Sequence, residues 1–333
     1  MKHDPIQDGA AANLVQVENL HVAFGRKKDR VSVVNGVDFA LGRGEVLGIL
    51  GESGSGKSVL LRSLMGLFPR QTHVEGRVMM QGTDLLSLSR RELRKRRGRD
   101  IAMIFQEPMT AFDPVFTVGK QITETIRRQE GATEEQARKR TLELFELVAI
   151  PSAKSRLGNY PHEMSGGMRQ RVMIALALAC RPKVLLADEP TTALDVTVQI
   201  QILLLLRELQ QEMDMSVVFV THDIGVAAEI SDRIGVMYAG RFVEKAPVRQ
   251  IIRAARHPYT SGLLGATIHG QRRGDHIETI PGAPPNLADL PQGCAFAARC
   301  PRVMPDCSLA MPEMTDFAPG HAARCLNPEP AQK

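Results

Sequence analysis

No stretch of this sequence is apolar for long enough to cross a bilayer. The longest unbroken run, near residues 172–180, is about half of what a membrane span requires, so no transmembrane helix is encoded. The first 25 residues contain no apolar core of signal-peptide type, and the chain is expected to stay in the cytoplasm. Five cysteines in 333 residues do not make a disulfide framework. Charge of one sign is also scarce. The 42 basic and 37 acidic side chains leave 42 − 37 = +5, too weak a field over this length to imply a nucleic-acid partner. Internal repeats and low-complexity tracts are missing as well. With 43% hydrophobic and 24% charged residues, wholesale disorder is excluded. The densest basic run, RRELRKRRGR at residues 90–99, reads as a solvated helical face, with a lipid-facing edge or a polyanion site as alternatives.

The length suits one large α/β unit with an appendage, or two domains. Residues 15–22 alternate apolar and polar as a half-buried antiparallel strand does, and residues 31–41 read similarly. VLGIL at 46–50 is apolar on both faces, which is typical of a central parallel strand. A glycine-rich segment follows, and then apolar positions at helical spacing. Residues 77–86 predict an edge strand and turn, and DIAMIF at 100–105 a buried strand. From residue 117 to about 161 the pattern is helical. Strand and helix then alternate again through a strand at 183–187, a helix at 198–213, a strand at 216–220 and two short strands around 233–243. A parallel-sheet α/β core with a helical insert is implied. Past residue 246 the sequence is rich in Pro, Gly and Cys and has little periodicity. Such a segment folds on a scaffold or around a metal more readily than around a core of its own.

Gly51, Glu52, Ser53, Gly54, Ser55, Gly56, Lys57 and Ser58 match G-x-x-x-x-G-K-[ST] between a predicted strand and a predicted helix. The glycines permit backbone angles that let successive N–H groups wrap a phosphate. The helix then aims its positive end at that charge. Lys57 can reach the β- and γ-phosphate oxygens, and the Ser58 hydroxyl can take a position on Mg²⁺. Asp188 and Glu189 end the strand VLLAD, where ligands bind in open α/β sheets. Asp188 can hold Mg²⁺, and Glu189 can orient and deprotonate an attacking water. Ser165, Gly166 and Gly167 open another helix. Ser165 is a natural N-cap, and the two glycines expose N–H groups at the positive end of the helix dipole. A chain binding one nucleotide does not need this second anion site, whereas two copies packed head to tail would each close the other's nucleotide.

Together with Gln106, Leu194, Asp195 and His222, these motifs stand in the order and approximate spacing of the nucleotide-binding subunits of ABC transporters, and the sequence resembles that family from about residue 15 to 245. The resemblance implies an α/β P-loop ABC-type nucleotide-binding domain: a parallel-sheet core with an antiparallel β-subdomain and a helical subdomain at about 110–180. It implies that Gln106 contacts Mg²⁺ or the attacking water, that Asp195 lies at a dimer seam, and that His222 contacts the γ-phosphate. It implies ATP and Mg²⁺ as ligands. It also implies a second ABC ATPase subunit, a copy or a related chain, as partner, with two membrane permease subunits and, indirectly, an extracytoplasmic solute-binding protein. The location implied is the cytoplasmic face of the bacterial inner membrane. The segment MSGGM departs from the family's LSGGQ, so no role of the usual Gln carries over to Met168. The adenine-stacking aromatic, usually Tyr, has Phe24 as its counterpart here.

Cys294, Cys300, Cys307 and Cys325, together with RHPYT at 256–260 and IPGAPPNL at 280–287, resemble the C-terminal extension of peptide-importer ATPases. The close C-x₂-C pairs usual for structural zinc are absent. The resemblance implies a 4Fe–4S cluster, and Pro301 directly after Cys300 fits cluster-binding loops. Zinc and four unligated thiols remain open, and Cys180 reads as a core residue. The expected organisation is a tail at 1–13, the nucleotide-binding domain at 14–255 and a Cys-containing, irregular extension at 256–333. The function implied is ATP hydrolysis that drives uptake of short peptides, with nickel- or opine-type solutes as alternatives. Two other classes compete. A soluble ABC ATPase acting on nucleic acid or ribosomes would have paired nucleotide domains or a long coiled-coil insert. A subunit that binds ATP without hydrolysing it would not keep Glu189 and His222. The loop at 106–114, with Met109, Phe112 and Pro114, is the expected apolar docking groove for the membrane partner.

Overall fold

The computed structural model describes residues 13–26, 29–192, 194–266 and 279–330. Apart from Asn13, the expected tail lies outside the described residues. The alternating N-terminal pattern forms β1 (Asn13–Phe24) and β2 (Val31–Gly42), paired antiparallel. β3 (Val46–Leu50) is buried throughout, as a strand apolar on both faces requires. The phosphate-loop motif follows and opens α1 (Lys57–Leu64). β4 (Thr72–Met80) and β5 (Thr83–Asp84) then return to the first sheet, which runs β2-β1-β4-β5. α2 (Arg90–Arg96) starts with a capping box in which the Ser89 and Glu92 side chains each accept from the other's backbone N–H. The basic run is partly structural. Arg97 donates to the carbonyls of Met65 and Gly66, at 2.9 Å each, and Arg96 pairs with Asp100, while Arg90, Arg91, Arg94 and Lys95 remain exposed.

β6 (Ile101–Ile104) leads into the helical region: α3 (Val118–Glu130), α4 (Glu134–Leu147), α5 (Ala153–Arg156) and α6 (Gly166–Leu178). Residues such as Ile122, Phe145 and Val172 join their inner faces in one apolar core, which runs on to Leu185 and Phe219 of the main sheet. The chain re-enters that sheet as β7 (Val184–Asp188), followed by α7 (Val196–Glu212), β8 (Ser216–Thr221), α8 (Ile224–Ile230), β9 (Arg233–Tyr238) and β10 (Arg241–Pro247). β6, β7, β8, β3 and β9 are parallel neighbours, and β10 lies antiparallel on β9. The expected apolar cluster at Met109, Phe112 and Pro114 needs correction. Phe112 is only 6% exposed and belongs to the helical core, while Val115 and Phe116 just beyond it are exposed.

The C-terminal region is more regular than its composition suggests. α9 (Val248–Ala254) and α10 (Pro258–Gly265) follow β10. β11 (Thr315–Ala318) and β12 (His321–Ala323) then extend the core sheet, whose full order is β11-β12-β10-β9-β3-β8-β7-β6. A separate apolar core joins this region to the sheet around Tyr238, Tyr259 and Phe296. Their ring centroids lie 4.6 Å (Tyr238–Tyr259) and 5.3 Å (Phe296 to each) apart. Glu244 on β10 is fully buried and satisfied entirely from this region. It accepts the backbone N–H groups of Arg256 and His257, and the His321 ring nitrogen lies 2.7 Å away. A carboxylate is tolerated in such a place only with partners of this kind. Periodicity in the local sequence could not announce these contacts, because they join positions far apart in the chain.

Candidate nucleotide site

The strand β3, the loop and α1 follow one another directly. Gly56 caps α1 without any side-chain hydrogen bond, which leaves N–H groups of the first turn available to a ligand. Its backbone lies in the left-handed region at φ 100°, and a Cβ there would approach the Val33 carbonyl oxygen to 2.6 Å. A Cβ on Gly51 would collide with the Met237 carbonyl. The Lys57 ammonium donates to the carbonyls of Gly51 (2.7 Å) and Glu52 (2.9 Å). Burial lowers its pKa, and the negative charges of Glu189, Asp188 and Glu52 oppose that effect.

Around this loop opens a cavity of about 660 Å³, lined by Glu52, Ser53, Gly54, Gly56, Lys57 and Ser58 on one side and by Gln106, Glu189 and His222 on the other. The sequence set these last three far apart; β6, β7 and β8 lie side by side and bring their C-terminal ends together. Glu189 is the hub. One of its carboxylate oxygens accepts from Thr192 Oγ1 at 2.9 Å and from Gln106 Nε2 at 3.4 Å, with His222 Nδ1 at 3.2 Å. The other lies 3.9 Å from the Lys57 ammonium. Glu189 also holds φ 46°, an uncommon conformation for a non-glycine residue, fixed in part by its N–H bond to the Val220 carbonyl. Thr192 was not foreseen from the sequence.

Asp188 accepts the Ser58 hydroxyl at 2.8 Å through Oδ1, while its buried Oδ2 has no partner among the described residues. Burial raises its pKa, partly offset by the Ser58 hydrogen bond. A buried carboxylate oxygen left bare beside a hydroxyl is a donor set that fits a hard divalent cation.

Ser165, Gly166 and Gly167 do not line this cavity. Ser165 caps α6, its hydroxyl accepting from the Met168 N–H. The segment packs instead on the turn before α7, where Asp195 is the N-cap. A Cβ on Gly166 would lie 3.8 Å from Leu194, and one on Gly167 would lie 2.9 Å from Val198. Phe24 is half-buried against the core beneath the antiparallel sheet and is not among the residues lining the cavity. Leu287 of the C-terminal region is one of them, which the sequence did not signal.

Cys294, Cys300, Cys307 and Cys325 converge on one small void of about 10 Å³, room for a single water, beside His257. Burial raises the thiol pKa values of Cys294, Cys300 and Cys325, the last to about 11, and holds the His257 imidazole down to about 4. Among the described residues no group of three or more His, Cys, Asp or Glu is arranged to hold a metal ion. The four cysteines are gathered around that void. Cys180 is buried at the end of the helical core.

A parallel sheet that ends in a phosphate loop, a paired Asp and Glu, and a separate serine-capped glycine turn on a helical insert defines an ABC-type ATPase cassette. Residues 34–192 match the ABC transporter model, and residues 243–307 match the model of the oligopeptide/dipeptide transporter C-terminal region. The dipeptide transport ATP-binding protein DppD of Bacillus subtilis is 47% identical over 314 residues, covering 94% of each chain. The oligopeptide transport ATP-binding protein OppD of Salmonella typhimurium is 46% identical over 315 residues, 95% of this chain and 94% of that one. Among solved structures, a dimeric ATP-binding cassette in a post-hydrolysis state with ADP and phosphate superposes with a TM-score of 0.64 at 32% identity, covering 71% of this chain and 99% of that one. The chain belongs to the ABC transporter family, among those ATP-binding proteins that carry the oligopeptide/dipeptide transporter C-terminal region.

Proposed function

We propose that this chain hydrolyses ATP to drive the import of short peptides through separate membrane subunits, working at the cytoplasmic face of the membrane. The observation that carries the ATPase part is the convergence of Lys57, Ser58, Gln106, Glu189 and His222 at one cavity, with Asp188 buried behind it on the Ser58 hydroxyl. The peptide cargo is supported by the match over residues 243–307 and by the names of the relatives. Residues 14–255 are read as the ATPase domain and 256–333 as its extension.

In this reading the loop N–H groups and Lys57 bind the β- and γ-phosphates, and Phe24 serves the adenine. Ser58, Asp188 and Gln106 would hold Mg²⁺, which neutralises phosphate charge when bound. Glu189 takes the proton of the attacking water, held in place by Thr192, Gln106 and His222. Ser165, Gly166 and Gly167 act in trans on the nucleotide of a second ATPase subunit, which is why they stand apart from the chain's own cavity. Closure of the pair is passed to two permease subunits, with Val115 and Phe116 as the exposed apolar contact. A solute-binding protein delivers the cargo. The four cysteines are read as the ligands of a 4Fe–4S centre, supported by their convergence, although the void must widen to admit one.

Replacement of Glu189 tests the catalytic assignment. Glu189→Gln should retain ATP binding yet hydrolyse at least ~100-fold more slowly, the scale of losing a general base. Near-normal turnover in that variant rejects the assignment. For the cysteines, anaerobically purified protein should be brown; a colourless, iron-free preparation rejects the cluster.

A further inference from the structure

Among the described residues, the C-terminal region hydrogen-bonds the phosphate loop at Glu52. Its carboxylate receives a two-pronged hydrogen bond from Arg299, with Nη1 to Oε2 at 2.7 Å and Nη2 to Oε1 at 3.0 Å. Its backbone N–H donates to the Tyr259 hydroxyl at 2.9 Å. Neither partner is a free-swinging surface group. The Arg299 side chain is 5% exposed. It also donates through Nε to the Pro281 carbonyl and through Nη1 to the Tyr238 hydroxyl, and its guanidinium lies 5.9 Å from the ring centroids of both Tyr238 and Phe296. Tyr259 is fully buried. Pro284, Pro285 and Leu287 of the same region line a small void against Ser53, Gly54 and Ser55.

Electrostatics give this grip a purpose. A carboxylate in a loop meant for a triphosphate repels its ligand unless something neutralises it. Arginine is suited to that task, because its planar fork matches a carboxylate in geometry and charge together. Lys57 donates to the Glu52 carbonyl as well, so the residue that Arg299 and Tyr259 fix from one side helps to orient the phosphate-binding lysine on the other.

We propose that Arg299 and Tyr259 are positioning residues for ATP: they neutralise and immobilise Glu52, so that the C-terminal region sets the nucleotide affinity of the phosphate loop. This inference rests on the ATPase reading above. It is tested on the full chain by titration with a fluorescent, non-hydrolysable ATP analogue and Mg²⁺, alongside steady-state hydrolysis.

Arg299→Ala should weaken analogue binding by about 10-fold or more, the scale of one unscreened charge interaction near a protein surface. KM should rise by a similar factor, with kcat nearly unchanged. Adding Glu52→Gln to Arg299→Ala should restore much of the affinity, because the unpaired carboxylate is then gone; a purely structural role would give no such rescue. Tyr259→Phe removes only a hydroxyl and keeps the ring packing, so it remains informative if Arg299→Ala does not fold. It should weaken binding by about 3-fold or more, the scale of one hydrogen bond. Wild-type affinity in Arg299→Ala or Tyr259→Phe, or no rescue in the double variant, overturns the proposal while leaving the ATPase reading intact. Failure of the wild-type chain to bind the analogue overturns both.

Discussion

Asp188 illustrates how burial at one residue can set a pH dependence. It is fully buried, and its carboxyl is held above the ordinary aspartate value by that burial. The sign follows directly. As pH falls through the raised pKa, the folded protein takes up a proton at Asp188 before an exposed aspartate would. That proton competes with Mg²⁺, so Mg²⁺-dependent ATP binding should weaken on acidification at a higher pH than an ordinary carboxylate predicts. In the nucleotide-free protein the same shift works the other way: the fold gains stability as pH falls from the raised value toward 3.8, because the folded state holds the proton more tightly. Isothermal titration of Mg·ATP analogue over a range descending stepwise from neutral pH to below the ordinary aspartate value should show the loss in the wild type and a flatter profile in Asp188→Asn. An unchanged affinity across that range would count against Asp188 as the cation ligand. The position of this aspartate beside the phosphate loop was legible from its place at the end of the apolar strand VLLAD. Thr192 was not, because a lone threonine in a loop carries no pattern until Glu189 folds against it.

Whole elements show the same division. β3 and β7 announced themselves as short apolar runs, and α3 and α4 by apolar residues three and four apart, since each buries a face that its own sequence encodes. The loop between β6 and α3 did not. Phe112, Val115 and Phe116 are all apolar and close in sequence, and nothing local tells which of them turns inward. Substitution should separate them. Phe112→Ala empties a position in the helical core and should cost about 3–5 kcal/mol of stability, measured by chemical denaturation. A Val115→Glu, Phe116→Glu double variant should leave stability and the basal ATPase of the isolated chain within a small margin of wild type. It should still abolish stimulation by the reconstituted membrane subunits. Stimulation that survives would place the docking surface elsewhere.

Across the whole molecule, the C-terminal region is bound into the sheet. β12 lies along β10, Glu244 depends on Arg256, His257 and His321, and Tyr259 and Phe296 fill an apolar core against Tyr238. Deleting residues 256–333 should therefore leave a buried carboxylate without partners and an open sheet edge, and the remaining cassette should aggregate or melt well below the full chain. A soluble, monodisperse product with an unchanged melting temperature would contradict this. The proline-rich, aperiodic sequence of this region hid its architecture because its order is borrowed from strands laid down much earlier in the chain.

That separation carries a consequence for how the protein is made. Arg299 is 247 residues from the Glu52 it neutralises. At translation speeds of about 5–20 residues per second, the loop leaves the ribosome roughly 12–50 s ahead of Arg299. If Arg299 sets the affinity of the loop as proposed, a nascent or prematurely terminated polypeptide carries the recognisable motif but binds ATP more weakly than the finished chain. Full nucleotide affinity is then reached only with the final stretch of synthesis, once Arg299 can reach Glu52.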